Sequence, residues 1–191
     1  MLSVRSVLLV PVAMLTLCAS PLLAQQKRVS PHETVSAVVD GNRVTVVYGR
    51  PYTKDPKTGE PRKIWGGLVP FGKVWRTGAD EATLSITQQD IQMGDATIPA
   101  GAYTLWTLPN EDGSAKLIIN KQVGQWGQDY KDMKKVYDEA KDQARVDLKK
   151  GALEKPLDQF TISVGKDPAG GGVLKLMWED TMYSVPYTVK K

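Results

Sequence analysis

One cysteine and one histidine in 191 residues remove most nucleophile and metal chemistry at the outset. Cys18 falls in an N-terminal segment with the anatomy of a secretory signal peptide. Arg5 precedes an apolar run over residues 7–17, and small residues follow toward Ala24. Cleavage is expected after Ala24, making residues 1–24 a signal peptide and residues 25–191 one mature domain. Without Cys18 the mature chain holds no disulfide, no thiolate metal site and no cysteine nucleophile. A lipid anchor on Cys18 is disfavoured, because Leu17 stands where a small residue is required. The apolar run is broken by Pro11 and falls short of the about 20 apolar residues that span a bilayer. No transmembrane anchor is therefore expected, and the chain is read as exported, periplasmic or extracellular.

His32 sits in Ser30-Pro31-His32-Glu33, ahead of the first strand signal. No G-x-S-x-G elbow accompanies it, so no serine triad is assigned. Zinc prefers several nitrogen or sulfur ligands, which leaves His32 as a surface or edge residue. Gly66-Gly67 is not followed by the phosphate-loop pattern, and no D-x-D-x-D-G calcium loop occurs. No catalytic residue, metal or cofactor is assigned. Loss of Arg5 leaves 24 Lys+Arg against 21 Asp+Glu. This mild excess is spread along the chain, with no concentrated basic face of the kind nucleic acid demands.

What is present is a succession of short β-type runs. Residues 35–39 and 43–48 flank Asp40-Gly41-Asn42 and read as a hairpin, with Val44, Val46 and Tyr48 on one face. Residues 82–87 alternate, and 91–93 and 97–98 flank the Gly94-Asp95 turn. Residues 102–108 and 115–120 form a second hairpin. Phe160, Ile162 and Val164 share a face, as do Leu174, Leu176 and Trp178 beyond the turn at 170–172, then Tyr183, Val185 and Tyr187. Nine or ten such strands predict an all-β fold, an antiparallel β-sandwich or barrel-like structure. One peripheral helix is expected over residues 129–144, where Tyr130, Met133, Val136, Tyr137 and Ala140 recur at helical spacing. The loop at 52–61 reads as an exposed turn.

The segment 61–83, PRKIWGGLVPFGKVWRTGADEAT, has neither period. It mixes two tryptophans, four basic residues and an Asp-Glu pair with four glycines, and reads as an ordered loop folded back on the scaffold. Arginine forks recognise carboxylates and phosphates, and tryptophan faces stack on sugars or cations. Arg50, Trp65, Trp75, Arg76, Asp80 and Glu81 are therefore the ligand-binding candidates. The same residues also suit a structural clasp, with Arg76 pairing to Asp80 or Glu81 and both tryptophans buried. Asp80 and Glu81 are adjacent, so on an extended chain their carboxylates should point apart.

Ser30-Pro31, Tyr48-Gly49-Arg50-Pro51, the block from Lys63 to Thr83, IPAGAYTLWTLP at 98–109, Asn120-Lys121, Trp126-Gly127, the run 159–163 and Trp178-Glu179 together resemble the exported bacterial family known as domain of unknown function 2911. The resemblance covers nearly the whole mature chain. It implies export, a single domain and a largely β architecture, and it carries no activity or catalytic residue. The Arg/Trp loop belongs to the family pattern as a unit. Three function classes follow, in order: a non-enzymatic domain binding a small polar or anionic ligand or an envelope partner; a structural envelope module; and a carboxylate-based hydrolase acting on an envelope glycan, with Asp80 or Glu81 paired to a distant acid and His32 assisting.

Overall fold

The protein is described here by a computed structural model covering residues 28–126 and 136–190. The expected leader, residues 1–24, lies outside the described residues. Among those described, nine strands form one antiparallel sheet: β1 (His32–Val39), β2 (Asn42–Gly49), β3 (Ala79–Thr87), β4 (Ile91–Met93), β5 (Ala96–Ile98), β6 (Gly101–Pro109), β7 (Ala115–Asn120), β8 (Asp142–Lys166) and β9 (Gly172–Val189). Their order is β1-β2-β3-β6-β7-β8-β9-β4-β5. The all-β class is as expected. The sheet is open, with β1 and β5 at its edges.

Alternation explains most of it, because successive side chains on a strand face opposite ways. Val44, Val46 and Tyr48 on β2 are buried, as are Leu105, Leu117, Ile119, Ile162, Leu174, Leu176 and Trp178 on later strands. The β1–β2 connection is a two-residue turn with Asp40 at φ 49° and Gly41 at φ 82°. Positive φ at both positions is the twist-compatible hairpin turn.

The sheet coils until its first strands meet β8. Strand β8 runs for 25 residues, and its pairing with β9 slips between Ala152 and Leu157 and again between Leu157 and Thr161. Bulges of this kind bend a strand. The N-terminal part of β8 therefore lies beside β7, while its C-terminal part crosses to the end of β2. There the Tyr48 hydroxyl accepts the Ile162 N–H at 2.9 Å, and Arg50 donates to the Phe160 carbonyl at 3.2 Å and to Thr161 Oγ1 at 2.8 Å. Phe160, Trp75 and Trp178 pack between these layers.

Two expectations change. Of the helix expected over 129–144, residues 129–135 lie outside the described residues. The remainder is not an α-helix: Glu139–Lys141 is a single 3-10 turn capped by Asp138, and β8 begins at Asp142. Tyr137 covers the outer face of the sheet, its ring 5.0 Å from that of Trp106. Trp106 and Ile118 alternate away from the main core and need that cover. The aperiodic segment begins as an ordered loop that contributes Ile64, Val69 and Trp75 to the core. Its last residues are already strand, since β3 starts at Ala79.

Candidate functional site

The end of β2 and the start of β3 approach unusually closely. A Cβ on Gly49 would lie 2.4 Å from the Ala79 carbonyl oxygen, and one on Gly78 would lie 2.9 Å from that of Gly49. Only glycine permits this contact, and it leads into two left-handed residues, Thr77 at φ 58° and Asp80 at φ 64°. For a β-branched threonine that conformation is an outlier, with a cost of about 1–3 kcal/mol. Buried hydrogen bonds hold it: Thr77 Oγ1 meets Thr107 Oγ1 at 2.7 Å, and Thr83 Oγ1 donates to the Thr77 carbonyl at 2.6 Å.

The left-handed turn at Asp80 cancels the divergence expected of neighbouring strand residues. Both carboxylates come to the one imidazole. His32 Nε2 lies 2.9 Å from Glu81 Oε2 and 3.9 Å from Asp80 Oδ2. The expectation that the Asp80 and Glu81 side chains point apart is therefore corrected. Register supplies the other half of the arrangement. His32 on β1 pairs with Gly49 on β2, and Gly49 pairs with Ala79 on β3. Strands lie about 4.8 Å apart, and Gly49 has no side chain, so the imidazole can reach across β2 to β3.

Arg28 completes the cluster by donating to Glu81 Oε1. Its guanidinium lies 5.5 Å from the centroid of the Trp126 ring, and Trp126 is 60% exposed. Burial pushes the Glu81 carboxyl up. Its own backbone N–H, the His32 hydrogen bond and the Arg28 charge outweigh this and hold it below the ordinary carboxylate value.

On the other side of Asp80 opens a cleft of about 380 Å³ lined by Tyr52, Lys57, Arg62, Trp75, Arg76 and Asp80, among others. Arg62 donates from Nη2 to the Tyr52 carbonyl. Arg62 Nε and Asp80 Oδ2 are buried without a hydrogen-bond partner among the described residues. Asp55, also on the lining, accepts the backbone N–H groups of Lys57 at 2.8 Å and Thr58 at 3.3 Å, and these bonds hold its carboxyl low. A smaller cavity of about 220 Å³ lies on the far side, bordered by Arg28, His32, Tyr48, Gly49 and Glu81.

The six candidates thus divide. Trp75, Arg76 and Asp80 share the larger cleft, and Glu81 borders the smaller cavity behind it. Trp75 presents little to solvent, because its ring is stacked 5.9 Å from that of Trp178 and 5.0 Å from Phe160. Arg50 lies outside both linings, paired with Glu33 at 3.0 Å and bonded to β8. Trp65 packs edge-on against Tyr183 at 5.5 Å, away from the cleft. Sequence reasoning missed Tyr52 and Lys57, which come from a loop read as merely exposed, and did not single out Arg62 at the start of the aperiodic segment. The hydrolase reading named His32 as assisting Asp80 or Glu81 on chemical grounds, but no signal local to His32 placed it beside both acids. The available signal was Gly78 followed closely by Asp80, since aspartate is among the residues that tolerate left-handed backbone.

A family model described as "Protein of unknown function (DUF2911)" matches residues 30–187. The chain belongs to that family. The DUF2911 match takes in β1 through nearly all of β9 and includes His32, Asp80, Glu81 and the cleft lining from Ser30 onward, while Arg28 and Val29 precede it. No curated protein and no solved structure gives a significant match. Among the described residues no helix is long and apolar enough to cross a membrane.

Proposed function

We propose that this DUF2911 protein is an exported, non-enzymatic binding protein for a small anionic molecule bearing a carboxylate or phosphate group. The observation that carries the reading is the cleft of about 380 Å³, walled by Lys57, Arg62 and Arg76 against Asp55 and Asp80. Its volume falls within the roughly 300–1,000 Å³ of small-molecule sites. Three cationic side chains stand against two carboxylates on this lining, a net positive charge. Arg62 and Arg76 would supply charge-assisted forks, Trp75 an apolar edge, and Asp80 an acceptor that orients the ligand's hydroxyl or amino groups. Arg50 and Trp65 support the scaffold in this reading, and Glu81 holds the strand behind the site.

Calorimetry and thermal shift of the purified protein against carboxylates, phosphate esters, acidic sugars and neutral sugars test the proposal. Saturable binding of an anion is expected, with Arg62→Ala and Arg76→Ala each weakening it by about 10-fold or more, as loss of a hydrogen bond to a charged group implies. Binding confined to neutral sugars, or an anion affinity untouched in both folded variants, would overturn it. Absence of any small-molecule binding at millimolar concentrations would leave the envelope-partner or scaffold reading in its place.

A further inference from the structure

We propose that His32, Asp80 and Glu81 form a binding site for one divalent transition-metal ion of the zinc or manganese class. The three donor atoms, one from each residue, lie within 4.8 Å of one another. Two ligands each about 2.1 Å from a common ion can be no more than about 4.2 Å apart. The His32 Nε2 distances to Glu81 Oε2, 2.9 Å, and to Asp80 Oδ2, 3.9 Å, both meet that limit. Little rearrangement is needed for the imidazole to share an ion with either acid.

The surroundings are built as metal sites are built. Arg28 occupies Glu81 Oε1 and leaves Oε2 directed at the imidazole. That is the orienting contact by which outer partners hold ligating carboxylates. Asp80 Oδ2 is a buried acceptor with no hydrogen-bond donor among the described residues, the state of a ligand atom that a cation would satisfy. One imidazole nitrogen with two carboxylate oxygens favours a first-row transition ion over magnesium or calcium, which take oxygen ligands. Three protein ligands also leave coordination positions open. Asp80 borders the larger cleft, whereas His32 and Glu81 border the smaller cavity. The ion would therefore stand in the wall between them, with an anion in the cleft able to supply a further ligand. Metal binding itself does not require that anion, so the two proposals stand or fall separately.

The single histidine of the chain makes the test direct. The full chain is purified without a histidine tag, stripped with chelator and titrated with Zn²⁺, while the imidazole resonances of His32 are followed by NMR. Saturable shifts complete at one equivalent are expected, and Co²⁺ should displace the same resonances paramagnetically. Asp80→Asn and Glu81→Gln should each weaken the metal by about tenfold or more, while Glu111→Gln, in the exposed β6–β7 turn, should not. Imidazole resonances unmoved by millimolar Zn²⁺, or an affinity unchanged in both ligand variants, would overturn the proposal. If both variants fail to fold, the imidazole resonances of the unaltered chain still decide it.

Discussion

Glu81 shows at the residue scale how a local backbone choice becomes an electrostatic one. Its folded-state carboxyl sits below the ordinary value of 4.5, because its backbone N–H, His32 and Arg28 outweigh its burial. A depressed folded value means that the unfolded chain binds more protons. The resulting stabilisation is present above pH 4.5 and is lost as the pH falls through the depressed folded value. Glu81→Gln should remove that part of the acid dependence. Chemical denaturation of wild type and variant across acid pH should show curves converging as the pH falls. Parallel curves would mean that the pairs with His32 and Arg28 add nothing to stability. The choice of residue type at Glu81 was visible in the sequence, but its partner was not. Nothing in Ser30-Pro31-His32 marks it as a neighbour of a residue 49 positions later.

The decisive contact at the scale of elements is the one between β2 and the far half of β8. Tyr48 accepts the Ile162 N–H at 2.9 Å and donates to Glu33 Oε2 at 3.0 Å. Burial first, with the Glu33 charge adding, pushes its hydroxyl up to about 12, against a hydrogen bond with Ile162 that lowers it. The phenol therefore stays protonated throughout the physiological range. Tyr48→Phe keeps the ring against Phe160, at 5.9 Å, but leaves the Ile162 N–H buried without its acceptor. A loss of about 1–3 kcal/mol is expected, read as a lowered denaturation midpoint with an unchanged slope. The β1–β2 and β6–β7 hairpins were legible because alternation and turn residues are local signals. Strand β8 was not: GALEKPLDQ, its middle, carries a glycine, a proline and three charges where it bends. Such a segment shows no period of two, and its pairing with β9 is set by register rather than by its own residues.

Taken as a whole molecule, the protein depends on an aromatic wedge between the layers of one coiled sheet. Trp178 is fully buried and touches both Trp75 and Phe160. Trp178→Ala should cost about 3–5 kcal/mol, a large fraction of the roughly 5–15 kcal/mol that holds a domain folded. Near- and far-ultraviolet circular dichroism should lose signal at one common midpoint in the wild type. Separate midpoints would show that the two halves of the sheet unfold independently. The sequence by itself determined the class, most strands, the hairpin turns and the faces that enter the core, because each of these is written in spacings of a few residues. Only the tertiary structure decided where chemistry could gather. The bends in β8 bring it over the end of β2, the bare Gly49 lets His32 reach β3, and the left-handed Asp80 turns two adjacent acids toward one imidazole. These depend on register between strands and on backbone sterics across them, which no interval along a single chain records.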